Sequence, residues 1–135
     1  MDKDEKMLHM LMDFDPTIRF AAIVDKTGTI EIYSQRDGLK NLVPFDETKQ
    51  TLKRALHAWD ENTRVKSFIG NGKYSIASYK KIKRITVPLG SGRMLFCTLN
   101  NEPMKKGIFS NKKSYGHLAD MGKILSIVDF IKEQK

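Results

Sequence analysis

The feature that most limits the possible folds of this chain is a run of five apolar residues at positions 20–24. A strand that alternates apolar and polar residues needs cover on one face, whereas a continuously apolar strand is typical of one that is covered on both. The run is followed by Asp25-Lys26-Thr27-Gly28, a hairpin signal in which Gly28 supplies a positive φ angle. The sequence therefore predicts a central strand at residues 18–24 that turns back into a second strand.

The remaining elements follow from the spacing of apolar residues along the chain. Recurrence at i, i+3 and i+4 predicts helices, and strict alternation predicts strands. We expect helices at residues 4–14, 46–61 and 115–132, strands at 18–24, 29–33, 73–81, 84–89 and 93–99, a turn at 80–83 and a lysine-rich loop at 100–114. The order α-β-β-α-β-β-β-α predicts an α+β sandwich with a five-stranded, mainly antiparallel sheet flanked by helices. A chain of 135 residues suits one domain, expected to span residues 1–135.

The last predicted helix is apolar around most of its circumference. Its apolar side chains cover roughly 240° of the helical wheel at about 100° per residue, which is more than one packed face needs. The helix is therefore expected to be buried on two sides or to pair with another subunit. The candidate residues for a dimer interface are Ile124, Ile127, Phe130 and Ile131.

Positive charge is concentrated in the second half of the chain. The net charge is +8, yet residues 62–119 alone hold twelve Lys or Arg and a single acid, Glu102. Such a distribution gives the fold one electropositive region. The partners it suggests are nucleic acid, an anionic membrane surface or an acidic protein. The alternative is a solvated basic face that binds nothing.

The densest basic segment lies in the third and fourth predicted strands and the turn between them. Lysines and an arginine bind phosphates by charge, and interleaved tyrosines can stack on bases. The candidate residues for binding an anion or nucleic acid are Lys73, Tyr74, Tyr79, Lys80, Lys81, Lys83 and Arg84. The competing interpretation is that these lysines protect a sheet edge from aggregation.

No residue pattern indicates catalysis, a metal site or a cofactor. A zinc site needs convergent His, Cys or carboxylate ligands, but the three histidines fall in three different predicted helices. Gly70-Asn71-Gly72-Lys73 lacks the spacing of a phosphate-binding loop and is predicted to be a simple turn. The lone Cys97 fits a buried strand residue in a reducing cytoplasm. We therefore expect a protein that is not an enzyme and uses no cofactor.

The chain is expected to be cytoplasmic. Its first fourteen residues are acidic and contain no long apolar run, so they do not form a signal peptide. No stretch reaches the roughly 18 to 20 apolar residues that a membrane span needs.

The chain resembles the roadblock/longin group of profilin-like domains. Residues 19–28, an apolar strand that meets an Asp-x-x-Gly turn, look like the opening hairpin of a roadblock domain. Residues 74–89, with Tyr79-Lys80-Lys81-Ile82-Lys83-Arg84-Ile85-Thr86-Val87-Pro88-Leu89, look like an uncharacterised archaeal domain family of this size. The resemblance implies a five-stranded sheet flanked by helices, and often a homodimer. Roadblock domains act as dimerisation and regulatory platforms, commonly for small Ras-like GTPases.

Three functional hypotheses remain open at the level of sequence. The first is a non-enzymatic regulatory or scaffolding module that homodimerises and binds a protein partner such as a small GTPase. The second is a module that binds nucleic acid or a phosphorylated ligand through the basic residues of segment 73–84. The third is a small-ligand sensor with the 100–114 loop as a lid.

Overall fold

The computed structural model describes residues 2–39, 41–101 and 113–134, with the side chains of the last helix described from Met121 onwards. The elements in chain order are α1 (Lys3–Phe14), β1 (Ile18–Val24), β2 (Ile30–Gln35), α2 (Phe45–Asn62), α3 (Lys66–Ile69), β3 (Ser75–Ser78), β4 (Ile82–Gly90), β5 (Arg93–Asn100) and α4 (Lys113–Glu133). A 3₁₀ turn at Thr63–Val65 joins α2 to α3. The predicted α+β class and element order are confirmed, with the one-turn helix α3 added. The predicted 100–114 loop falls mostly outside the described residues.

The five strands form one antiparallel sheet in the order β2-β1-β5-β4-β3. β5 is central, and β2 and β3 are the two edges. β1 lies between β2 and β5, and all of its residues except Arg19 are buried. Its continuous apolar run is therefore explained as predicted, by cover on both faces of the sheet.

Helices lie on both faces of the sheet and divide the core into two clusters. α1 and α4 pack on one face, where Ala21 and Ile23 of β1 belong to the larger cluster. α2 packs on the other face, where Phe20, Ala22 and Val24 belong to a smaller cluster with Leu52. Successive strand residues point to opposite faces, so one strand contributes to both clusters.

The ends of α1 are fixed by polar contacts. The Asp2 carboxylate accepts from the Glu5 backbone N–H at 2.9 Å and caps the N-terminus of the helix. At the other end, Arg36 donates from Nη2 to the carbonyl oxygens of Met12 and Asp15 at 2.8 and 3.1 Å. These carbonyls have no partner within the helix, so Arg36 ties the end of α1 to the β1–β2 hairpin.

The predicted third strand and the turn after it are wrong in extent. β3 contains four residues rather than nine, and Ile82, which was expected inside the turn, begins β4 and is buried. Pairing of Ile82 with Asn100 of β5 extends β4 backwards. Asn101 then closes the turn, because its Nδ2 donates to the carbonyl oxygen of Lys80 at 3.0 Å. Lys80 and Lys81 remain as the exposed tip.

Candidate functional site

Helix α2 covers only part of its face of the sheet. It packs over β1 and β5, and a groove of about 350 Å³ remains between it and the neighbouring strands β4 and β3. The side chains that line this groove are mostly small or apolar, and they include Ala55, Ala58, Trp59, Ala77, Arg84 and Thr86. We call this the α2–β3 groove. Sequence reasoning did not identify it, because its small residues carry no functional signal of their own.

Trp59 forms one end of the α2–β3 groove and is held from two sides. Its Nε1 donates to the Thr86 hydroxyl of β4 at 3.0 Å. Its ring lies against Gly72, where an added Cβ would overlap the ring at Cζ3. The connection from α3 to β3 therefore crosses the indole at a distance that only glycine allows. The Gly70-Asn71-Gly72-Lys73 segment thus has a packing role.

A second, larger cleft of about 900 Å³ lies beyond Trp59. Residues 63–72, which we call the arm, form one wall, and the C-terminal half of α2 forms another. The β1–β2 and β4–β5 turns complete it. The side chains that line it include Lys26, Lys53, His57, Asp60, Lys66 and Ile69.

The structure does not bring the predicted anion-binding residues together on one surface. Lys73 precedes β3, whereas Lys80 and Lys81 follow it, so the strand separates them. Tyr74 packs against the core on the α1 and α4 face, whereas Tyr79 lines the α2–β3 groove on the opposite face. A ligand on one face cannot stack on both tyrosines.

Lys83 and Arg84 are half-buried and make contacts within the chain. Lys83 donates from Nζ to the Asn101 side-chain oxygen. The Arg84 guanidinium carbon lies 5.0 Å from the centroid of the Tyr79 ring, and Nη1 donates to the Tyr79 hydroxyl at 3.3 Å. Lys80 and Lys81 are the most exposed cations of this turn. Anion binding here remains a prediction that rests mainly on these two.

The edge-protection interpretation also changes with the observed strand bounds. β3 is an edge strand, as that interpretation requires, but its residues Ser75–Ser78 include no lysine. The lysines flank the strand instead of lying on it. They can therefore hinder edge-to-edge pairing at its two ends, but not along its four residues.

The predicted dimer-interface residues of α4 lie mostly inside the chain. Ile124, Ile127 and Ile131 are buried in the larger core cluster, and Phe130 stacks on Phe14 of α1 with ring centroids 4.5 Å apart. The part of the apolar arc that contains these four residues is therefore covered by the core and by α1. Dimerisation through α4 remains a prediction. Among the side chains of α4 that the structure describes, Met121 onwards, the exposed large apolar ones are Met121 and Leu125.

The one thiol is placed for packing and not for reaction. Cys97 is fully buried in β5, and burial, with a smaller effect of the Asp15 charge, raises its pKa to about 12. A thiolate, the nucleophilic form, therefore does not form near neutral pH. Within residues 2–39, 41–101 and 113–134, no group of three or more His, Cys, Asp or Glu could hold a metal ion. No helix in the same ranges is long and apolar enough to cross a membrane.

Comparison with known proteins identifies the fold. No protein-family model and no curated protein match the chain. Solved structures do match: the gliding protein MglB from Thermus thermophilus aligns with a TM-score of 0.62 at 10% identity, covering 98% of this chain and 87% of that one. A roadblock/LC7 domain from Streptomyces avermitilis aligns with a TM-score of 0.56 at 12% identity, covering 95% and 93%.

This chain has the roadblock/LC7 fold. MglC from Myxococcus xanthus also matches, with a TM-score of 0.54 at 9% identity over 95% of this chain and 98% of that one. The resemblance in the β1–β2 hairpin is thus confirmed at the level of fold. In this roadblock fold the α2–β3 groove and the arm lie on the same side of the sheet as α2.

Proposed function

We propose that this chain is a non-enzymatic regulatory or scaffolding module of one domain, residues 1–135, that acts in the cytoplasm and homodimerises through the α2–β3 groove. The observation that carries the proposal is a half-covered sheet face that lies directly beside an unpaired strand edge. A second copy, related by a two-fold axis, would supply a helix to the groove and a strand to the edge.

The groove supports this proposal because its lining is suited to close packing against another helix. Ala55 and Ala58 follow one another at i, i+3 on α2, and Ala77 faces them from β3. Small side chains on both walls let a second backbone approach closely. Trp59 and Phe96 add apolar surface whose burial is favourable, while Arg54, Asn62 and Arg84 also line the groove.

The outer edge of β3 supports it in a second way. In the described part of the chain, no strand pairs with this edge, and Ser75, Ala77 and Ser78 are exposed. The strand carries no charge and no proline, the devices that usually prevent edge-to-edge pairing. Its free backbone N–H and C=O groups are therefore open to pairing with another strand.

One neighbour of similar fold is described as an assembly. One similar structure is described as MglB with tetrameric arrangement, and it matches this chain with a TM-score of 0.59 at 9% identity. The further proposal, that the assembly binds a small Ras-like GTPase or another protein, rests on the resemblance to roadblock domains. If a Ras-like GTPase is encoded beside this chain's gene, it is the first partner to test, in its GTP-bound and GDP-bound forms.

Light scattering coupled to size-exclusion chromatography tests the dimer. The wild-type chain is expected to elute with twice the mass of one chain. Ala58→Arg places a cation in the groove, where the two-fold axis would bring it near its own copy. We expect the dimer to dissociate at least about tenfold more readily, because an unpaired charge is costly to bury. Ala77→Arg on β3 is expected to do the same.

The matched control is Gln50→Arg, which adds the same charge to an exposed position of α2 that does not line the groove. This variant is expected to remain dimeric. A wild-type chain that stays monomeric at high concentration would refute the proposal. A dimer that survives both groove substitutions but is lost on Leu125→Ser would move the interface to α4.

A further inference from the structure

The arm exposes two large apolar side chains far more than any others in the described residues. Phe68 and Ile69 are 83% and 80% exposed, whereas the next, Tyr79, is 53% exposed. Val65, at the base of α3, is also exposed. Single exposed apolar residues are ordinary, but an adjacent pair at this exposure is a patch that needs an explanation.

The arm holds this pair in a defined position. α3 ends at Gly70, whose φ of +89° reverses the chain and whose N–H donates to the Lys66 carbonyl oxygen at 2.8 Å. Two residues later Gly72 is seated against Trp59. The cleft of about 900 Å³ separates the arm from the β-turns. Phe68 and Ile69, which we call the tip of the arm, therefore lie in an exposed segment whose following glycine, Gly72, is fixed against Trp59. Ile69 also lines the cleft.

The charge around the arm is mainly positive. The sequence has no acidic residue from position 62 to position 101. Arg64, Lys66 and Lys73 flank the tip and are exposed. Lys26 and Lys53 line the cleft beside it. The nearby acids belong to α2: Asp60 lines the cleft, and Glu61 lies 3.9 Å from the Arg64 guanidinium.

We propose that the arm attaches this protein to an anionic membrane surface. Phe68 and Ile69 enter the boundary between headgroups and acyl chains, while Arg64, Lys66 and Lys73 remain at the level of the lipid phosphates. Apolar insertion and basic attraction are each too weak alone for stable attachment, and their combination is the usual requirement. The arm and the adjoining Lys73 supply both within ten residues, 64–73.

The side chains at the tip favour a membrane over nucleic acid. A nucleic-acid base binds an aromatic side chain by stacking on its ring. Ile69 has no ring, yet it is about as exposed as Phe68. Transfer from water into the apolar part of a bilayer is favourable for aliphatic and aromatic side chains alike. Clustered Lys and Arg beside apolar residues are typical of surfaces that bind acidic lipids. This inference does not depend on the proposed dimer.

Sedimentation with vesicles tests the proposal on the full chain. One set of vesicles contains phosphatidylcholine alone, and the other contains phosphatidylcholine mixed with phosphatidylglycerol. We expect binding to the mixed vesicles, weakened by salt, and little binding to the neutral ones. Phe68→Ser/Ile69→Ser and Arg64→Gln/Lys66→Gln are each expected to weaken binding to the mixed vesicles by about tenfold or more.

Matched controls remove the same kinds of side chain elsewhere. Leu42→Ser/Leu125→Ser removes two exposed apolar residues, and Lys3→Gln/Lys6→Gln removes two exposed lysines of α1. Both controls are expected to bind the mixed vesicles as the wild-type chain does. In addition, Phe68→Trp is expected to show a blue-shifted emission and quenching by brominated acyl chains when the vesicles are added.

Three results would overturn the proposal. The first is a wild-type chain that does not bind the mixed vesicles. The second is binding that the arm pairs and the control pairs reduce equally, which would indicate net charge alone. The third is an arm double variant that binds vesicles normally but loses binding to a single-stranded oligonucleotide, which would assign the arm to nucleic acid.

Discussion

Arg84 on β4 lies across the ring of Tyr79 beyond the end of β3, with its guanidinium carbon 5.0 Å from the ring centroid. Its Nη1 also donates to the Tyr79 hydroxyl at 3.3 Å. Two of the residues predicted to bind an anion or nucleic acid are thus in contact with each other. The Arg84 guanidinium covers one face of the Tyr79 ring. The same contact stabilises the position of Tyr79 just beyond the end of β3.

This contact separates the basic turn into a structural part and an exposed part. We expect Lys80→Ala/Lys81→Ala to change the free energy of unfolding by less than about 0.5 kcal/mol, since exposed side chains contribute little. Arg84→Ala is expected to cost about 1–2 kcal/mol, from the lost cation–π contact and hydrogen bond. Urea unfolding followed by the fluorescence of the single tryptophan measures both.

The same variants decide whether the turn binds anions. If a single-stranded oligonucleotide binds here, Lys80→Ala/Lys81→Ala weakens that binding and lowers its salt dependence. Lys3→Gln/Lys6→Gln, with equal loss of charge on α1, serves as the control and is expected to leave it unchanged. Equal weakening in the two pairs would count against a site at the turn.

Most of the fold is predictable from the sequence because its signals are local. The bounds of β1 follow from an apolar run that Asp25 and Gly28 end at once, and α2 follows from a regular apolar stripe. The sequence predicts a third strand that is too long, because the alternation of side chains continues at Tyr74 and Tyr79, beyond the residues of β3 that pair with β4. Helix α3 is a single turn, which is too short to show a helical period.

The candidate surfaces are less predictable because they depend on distant contacts. In the sequence Lys73 and Lys80 belong to one basic segment. In the structure they lie at opposite ends of β3, which runs between them. The exposure of Phe68 depends on the contact that fixes Gly72 against Trp59. Trp59 lies thirteen positions before Gly72 in the sequence. An apolar pair followed by Gly-Asn-Gly was the available signal for the arm.

Because Gly72 lies so close to Trp59, we expect even the substitution of Gly72 by alanine to reduce the stability of the fold. A methyl group at position 72 would overlap the rigid indole ring, so the ring or the backbone must shift. We expect Gly72→Ala to lower the free energy of unfolding by about 1–3 kcal/mol and to shift the tryptophan emission. Gly122→Ala in α4, where nothing lies near the added methyl group, is expected to stabilise the chain by about 0.5–1 kcal/mol. Equal effects of the two substitutions would contradict this packing.

The β1–β2 turn predicts a pH dependence of stability. The Asp25 carboxylate accepts from the Thr27 hydroxyl at 2.6 Å, the Thr27 N–H at 2.8 Å and the Thr29 N–H at 3.1 Å. These bonds, the hydroxyl first, lower the pKa of Asp25 from its ordinary value of 3.8. A group whose folded pKa is lowered stabilises the fold above its unfolded pKa and loses that contribution as the pH falls through the folded pKa.

Asp25→Ala is therefore expected to be less stable than the wild-type chain at pH 7, with a difference that shrinks as the pH falls below 3.8. Urea midpoints measured from neutral to acid pH test this. Asp37→Ala, at an exposed position after β2, is the matched control. A difference between Asp25→Ala and wild type that stays constant with pH would show that the carboxylate charge does not contribute.

The burial of Cys97 predicts a thiol that reacts only when the chain opens. Its pKa of about 12 leaves almost no thiolate at pH 8, and the sulfur lies in the central strand under α1 and α4. Because reagent must wait for an opening comparable to unfolding, we expect labelling by a disulfide reagent to be at least about a thousandfold slower in the native chain than in urea. Cys97→Ala/Ser126→Cys moves the thiol to an exposed position of α4 and is expected to react at once. Rapid labelling of native Cys97 would place β5 outside the core, and would reopen the question of a reactive cysteine that its burial argues against.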